Sequence, residues 1–209
     1  MKTVGQRTPL VDSRVKVTGA AQYTADFYLP AMLHGKMLRS YLHHARVVHI
    51  DTSRAERLPG VKKVVTAQDF KPIKYGFGEH RADMYSLAID KVRFMGDEVA
   101  GVAAMDADTA QEALELIDVE YEELPAVFDP EEAMREGAPF LHEDALLNIA
   151  KHLSINKGDV DDAFRQAHVI VEGRFATQRV HQAYLEPAGC VASWDGSGKL
   201  TVWAGSMYN

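Results

Sequence analysis

The sequence predicts a mixed α/β fold made of short strands around one well-defined helix. Three observations carry this. Apolar runs of strand length recur at 33–40, 45–51, 61–66 and 98–105, separated by turn residues. Ala110, Ala113, Leu114 and Ile117 fall at i, i+3, i+4 and i+7, one face of a helix. A strand, a helix and a strand then follow one another between 98 and 122, a local α/β unit.

In chain order, strands are expected at 33–40 and 45–51, joined by Tyr41-Leu42-His43-His44. A short helix at 53–58 ends at Pro59-Gly60, and 61–66 (VKKVVT) is a strand. Residues 67–86 lack periodicity and read as a loop. Residues 91–95 are strand-like, Gly96-Asp97 is a turn, and 98–105 is a strand of buried type. Asp108 is the expected cap of the central helix, with Gln111 three residues on. A strand at 119–122 closes the unit before Leu124-Pro125. Residues 129–136 form a short acidic helix, and 139–157 read as a linker or a chain draped over another surface. Asp159 caps a further helix with Val160, Ala163, Phe164 and Ala167 on one face. Strands are expected at 168–176, 189–194 and 199–204, the last two joined by the turn Asp195-Gly196-Ser197-Gly198.

Composition narrows the function classes. The 209 residues carry a net charge of −7, so no basic stripe is present to track nucleic-acid phosphates. The single cysteine, Cys190, excludes an internal disulfide or a cysteine zinc site, and a strand interior is its expected place, as a buried small hydrophobe. Residues 1–9 are polar, and no window approaches the ~20 apolar residues of a membrane span. A soluble, cytoplasmic protein is expected.

No self-contained chemistry emerges. The nine histidines show no ligand spacing; the adjacent His43 and His44 diverge on a strand, and His142, His152, His168 and His181 are scattered. Gly76-Phe77-Gly78 lacks the third glycine of a dinucleotide loop, and no serine sits in GxSxG. The acidic pairs Glu122-Glu123, Glu131-Glu132 and Asp161-Asp162 suit strand ends and helix starts. No catalytic residue and no metal ligand is expected within this chain.

Several phrases, in order, nevertheless resemble one family. They are Gly19 with Tyr23-Thr24-Ala25-Asp26, Leu38-Arg39-Ser40 before Ala45-Arg46, and Pro59-Gly60-Val61. Lys91-Val92-Arg93 with Gly96, Tyr121 before Leu124-Pro125, and Gly158-Asp159-Val160 follow. Last come His181-Gln182-Ala183-Tyr184-Leu185-Glu186-Pro187 and Leu200-Thr201-Val202-Trp203. The set resembles the molybdopterin-binding large subunit of the xanthine dehydrogenase and aldehyde oxidase family, with the flavour of 4-hydroxybenzoyl-CoA reductase or nicotinate dehydrogenase. The resemblance implies an α/β hammerhead domain at 1–128, a linker at 129–157, and an incomplete N-terminal part of a molybdopterin-binding domain at 158–209.

It also implies a molybdenum–pyranopterin cofactor, a glutamate base, and electron exit through iron–sulfur clusters, with FAD on a partner subunit. The coenzyme A branch runs a reductive dehydroxylation instead. The family's GGxFGxK-type segment and its catalytic glutamate are not among these residues. One cofactor-facing stretch is: Gly205, Ser206 and Met207 stand where relatives commonly show Ser-Thr-Gln. A thioether neither donates nor accepts as an amide does. Either the register differs, or the branch holds its cofactor differently, or the chemistry is not the standard hydroxylation.

The resemblance therefore implies part of a molybdenum oxidoreductase acting on aldehydes, purines, aromatic heterocycles or aromatic acyl-CoA. The chain is expected to be catalytically incomplete alone. Its expected partners are the remaining molybdopterin-binding segment or subunit, an iron–sulfur subunit and a flavin subunit. The competing reading is a non-catalytic module that docks on a larger molybdoprotein subunit. A third, a small-molecule binder, rests only on the loop at 70–86.

Overall fold

A computed structural model describes residues 4–76 and 82–205. The chain divides into two compact units, one from Ala31 to Ile170 and one made of the residues up to Pro30 together with those from Val171 onward. The mixed α/β class expected from the sequence is the class adopted.

The larger unit holds two three-stranded antiparallel sheets. Strands β1 (His34–Arg39), β2 (Ala45–Asp51), β3 (Val61–Thr66), β4 (Lys91–Val92), β5 (Glu98–Ala104) and β6 (Asp118–Glu123) pair in the orders β1-β5-β3 and β4-β2-β6. A short helix of Ser53–Glu56 leads into β3, and a nine-residue helix of Ala107–Glu115 follows β5. Counting the five-residue helix Ser13–Val17 of the other unit as α1, these are α2 and α3.

β5 explains why two cores form. It is a central strand with both faces covered, so its alternating side chains serve different layers. Ala100, Val102 and Ala104 join Ala55, Val64, Ala110, Ala113, Leu114 and Ile117 beneath α3, while Val99 joins Ala45, Ala88 and Val92. Small side chains set the spacing. A Cβ on Gly101 would lie 3.1 Å from Val65 Cγ2 and 3.2 Å from Met37 Sδ.

α3 starts two residues earlier than expected. The cap is Asp106, not Asp108: its Oδ1 accepts the Thr109 N–H at 2.7 Å and its Oδ2 the Thr109 hydroxyl at 2.8 Å. Asp106 sits in extended geometry at the end of β5, the conformation a cap requires, whereas Asp108 is already inside the first turn. β4 is shorter than the expected 91–95. The Asp97 carboxylate accepts the Arg93 N–H at 2.9 Å, and Gly96 at φ +101° closes a turn where the strand would continue.

Residues 139–148 are fastened to the larger unit. The buried Lys91 ammonium donates to Phe140 O and meets Glu143 at 2.7 Å. Arg93 Nε donates to Leu141 O at 2.8 Å. Asn148 accepts the Leu141 N–H and donates to the Ala133 and Pro139 carbonyls. The acidic helix narrows to α4 (Pro130–Ala133), capped by Asp129, and α5 (Val160–Gln166) is capped by Asp159 as expected.

The smaller unit carries the hairpin of β7 (Cys190–Trp194) and β8 (Leu200–Ala204), closed by the Asp195 carboxylate, which accepts the Ser197 and Lys199 N–H groups. The strand expected at 168–176 does not form. Val169, Ile170, Val171 and Phe175 are exposed, and this run pairs with no described strand. Cys190 is likewise exposed rather than buried, because it lies on the open face of the hairpin. Phe77 and Gly78 of the glycine-containing loop lie outside the described residues. Among those described, no helix is long and apolar enough to cross a membrane.

Candidate functional site

The smaller unit gathers three distant stretches at the end of β8. Tyr23 opens a single 3₁₀ turn at Thr24–Asp26, its N–H donating to Asp26 Oδ2 at 2.9 Å. Phe27 leaves the turn extended and stacks on Trp203, with ring centroids 5.4 Å apart and planes 29° off parallel. Glu186 completes the cluster. Its Oε1 accepts the Thr24 N–H at 3.0 Å, a bond spanning 162 residues of sequence.

Gly205 follows β8 directly and lies against this carboxylate. A Cβ there would stand 2.9 Å from Glu186 Cδ and Oε1 and 3.0 Å from Oε2, closer than real Cβ atoms come. Absence of a side chain at 205 is thus what lets Glu186 reach Thr24. The cluster borders an open cleft of about 330 Å³, walled by Gln22, Tyr23, Phe27, Glu186, Trp203 and Gly205 among others. That volume is at the lower end of the usual range for ligand sites, about 300–1,000 Å³.

The wall has a definite chemistry. Gln22 offers an amide, Tyr23 and Thr24 hydroxyls, and Glu186 a carboxylate; among the described residues no cation lines the cleft. Such a set matches the N–H and carbonyl edge of a pterin ring. It does not match an anionic end, which needs Arg, Lys or a helix N-terminus. The residues present therefore fit one edge of a pyranopterin-type group.

Of the sequence-predicted positions, Gly205 is brought into this cleft, while Ser206 and Met207 lie outside the described residues. Sequence reasoning missed Glu186 and Gln22–Phe27 as partners of Gly205. Glu186 and most of the second stretch lie inside phrases that carry the family resemblance, but no spacing rule links residue 24 to residue 186. The described histidines do not converge. His44 is buried with Nδ1 2.7 Å from the Pro125 carbonyl, and its Nε2 has no hydrogen-bond partner. His43 packs edge-on against Phe128. Among the described residues, no group of three or more His, Cys, Asp or Glu side chains is placed to hold a metal. The loop at 70–86 lines two small clefts of about 220 and 320 Å³, whose walls mix Arg93 and Lys74 with carboxylates.

Residues 18–125 match the a/b hammerhead domain of the aldehyde oxidase and xanthine dehydrogenase family, and residues 141–208 match a molybdopterin cofactor-binding domain. Glu186, Gly205 and the β7–β8 hairpin fall in the second match. The chain is 40% identical to the nicotinate dehydrogenase large molybdopterin subunit of Eubacterium barkeri over 201 residues, which is 96% of this chain and 47% of that protein. It is 40% identical to a probable xanthine dehydrogenase subunit of Bacillus subtilis (strain 168), covering 94% of this chain and 26% of the relative. Among solved structures, quinoline 2-oxidoreductase from Pseudomonas putida 86 superposes with a TM-score of 0.82 at 32% identity, over 96% of this chain and 26% of that one. The chain thus spans between a quarter and a half of the length of these relatives.

Proposed function

The chain belongs to the aldehyde oxidase and xanthine dehydrogenase family, and from that premise we propose that it forms part of a molybdenum-cofactor oxidoreductase, catalytically incomplete by itself. The substrate class is an electron-poor aromatic heterocycle of the nicotinate type, the substrate in the name of one 40%-identical relative. In this reading residues 1–128 are the hammerhead domain, 129–157 the linker, and 158–209 the opening of the molybdopterin-binding domain. Gly205, Ser206 and Met207 face the cofactor. Iron–sulfur clusters and FAD reside on partner subunits, and the assembly works in the cytoplasm.

The observation that carries this reading is the cleft whose Glu186, Trp203 and Gly205 lie in the stretch matched to molybdopterin binding, facing Gln22–Phe27 from the N-terminal match. Bound there, a molybdenum–pyranopterin group supplies two-electron oxidation coupled to oxygen transfer, chemistry no side chain of this chain provides. The chain's own residues hold and orient. Gln22, Tyr23 and Glu186 present hydrogen-bonding groups to one ring edge. Thr24 N–H fixes the Glu186 carboxylate, and the Phe27–Trp203 stack fixes the end of β8.

The test is isolation of the tagged chain from its native host, with molybdenum measured per chain and co-purifying proteins identified. About one molybdenum per chain, with a further molybdopterin-binding polypeptide present, is the expected result. Intact native complex devoid of molybdenum would favour the docking-module reading, and a monodisperse monomer with neither would sink both.

A further inference from the structure

β4 is only two residues long, yet two largely buried cations sit at it. Lys91 has 8% of its side chain exposed, and Arg93, directly after the strand, has 13%. Val92 between them packs in the core with Ala45, Ala88 and Val99. Lys91 and Arg93 instead reach residues 139–148, which form a strap. A buried cation is tolerated only with partners. Among the described residues, both partners of the Lys91 ammonium lie in the strap: the Phe140 carbonyl at 3.1 Å and the Glu143 carboxylate at 2.7 Å. Arg93 adds the bond from Nε to the Leu141 carbonyl, and its guanidinium lies 3.9 Å from Glu143. The Lys91 hydrogen bond, helped by the charges of Lys91 and Arg93, holds the Glu143 carboxyl below its ordinary pKa.

The strap also has a shape it would not take unaided. Leu147 and Asn148 both lie in the left-handed region, at φ +53° and +54°. Asparagine tolerates that conformation and leucine rarely adopts it. Strained backbone persists where surrounding contacts over-determine it. Asn148 supplies such contacts, accepting the Leu141 N–H and donating to the carbonyls of Pro139 and of Ala133 in α4. The strap is thus bonded both to α4 and to the two cations at β4.

The hammerhead match ends at residue 125, and the molybdopterin-binding match begins at 141. The first residues of the second match are therefore held at β4, an element of the first. We infer that the strap anchors the molybdopterin-binding stretch to the hammerhead, with Lys91 and Arg93 as the positioning residues of that anchor. The inference rests on the proposed function. The linker is then fixed in its middle, and the chain after Asn148 leaves from a set point rather than from a free tether. Lifting the strap would strand the Lys91 ammonium without an acceptor, so the hammerhead itself opposes release.

Lys91→Met separates the anchor from the fold. Methionine fills most of the same space and needs no partner, so the hammerhead should stay closed while the strap loses its hold. Amide hydrogen exchange of the native complex reads both. Exchange over residues 139–148 should be at least about tenfold faster in the variant, with β5 and α3 unchanged. Molybdenum per chain should fall at least about threefold, because a site whose support is loosened no longer holds its geometry. Lys62→Met, exposed on β3, should change neither reading.

Glu143→Ala repeats the test from the exposed side of the pair, and decides the matter should Lys91→Met loosen β5 and α3 as well. It should speed strap exchange, and Glu143→Gln, which keeps an oxygen for Lys91, should restore most of the protection. Unchanged strap exchange in both Lys91→Met and Glu143→Ala would overturn the anchor. Faster strap exchange with normal molybdenum would overturn the positioning role and leave the proposed function standing. A parent complex without molybdenum would remove the proposed function and the inference together.

Discussion

Glu186 and Gly205 act as one unit at the residue scale. The carboxylate reaches Thr24 only because residue 205 has no side chain. Glu186→Ala removes one hydrogen bond, at an expected net cost of about 1 kcal/mol. Gly205→Ala places a methyl against the end of the flexible Glu186 side chain, which gives way and forfeits the Thr24 bond, at a similar cost of about 1 kcal/mol. In the double variant the methyl meets no carboxylate, so the two costs should fall short of additivity by at least about 0.5 kcal/mol. Denaturant unfolding of the four proteins measures this coupling. Strict additivity would mean that the two residues do not share the contact.

The elements were legible in proportion to how locally they are determined. β2 and β3 have the same bounds in sequence and structure, because both are apolar runs between clear turn signals. The core face of α3 was legible from the spacing of Ala110, Ala113, Leu114 and Ile117, all of which are buried. Its start was not, since Asp106 and Asp108 are equally good caps by residue type and only the backbone at the end of β5 chooses between them. The apolar run at 168–176 has the composition of a strand but pairs with no described strand, and composition does not reveal whether a partner takes it up. Gly205 was singled out through the resemblance alone, as a cofactor-facing position. Its contact with Glu186 was not, because a bond across 162 residues leaves no local trace.

The early end of β4 has an electrostatic consequence. The Asp97 carboxylate that closes the turn is pushed to a raised pKa, chiefly by burial, with the Arg93 N–H opposing and Glu98 adding to the shift. A carboxyl with a raised folded pKa favours folding below its unfolded value and loses that advantage as pH rises through the folded value. Asp97→Asn keeps an oxygen to accept the Arg93 N–H and cannot ionise. The variant should therefore match the parent in stability near or below about pH 3.9, the unfolded aspartate value. It should become the more stable of the two as pH rises toward neutrality. Thermal unfolding across that range checks the sign, and a parent that gains on the variant with rising pH would show that the Arg93 contact outweighs burial.

At the scale of the whole molecule, burial is unequally shared. Every buried core side chain among the described residues belongs to the unit from Ala31 to Ile170. The other unit is held by the Phe27–Trp203 stack, the Glu186–Thr24 bond and one hairpin, while Val171, Phe175, Val180 and Leu185 stand open to solvent. Regions with few buried apolar contacts open at a small fraction of the global unfolding free energy. Amide hydrogen exchange of the isolated chain should therefore protect β5 and α3 strongly and residues 171–189 hardly at all. If the smaller unit completes its core only within a molybdopterin-binding assembly, β7, β8 and the 171–189 stretch should gain protection in the native complex. β5 and α3 should change little, because their layers are already closed. Protection of 171–189 in the isolated chain equal to that of β5 would show the smaller unit to be self-sufficient, and an incomplete domain would no longer describe it.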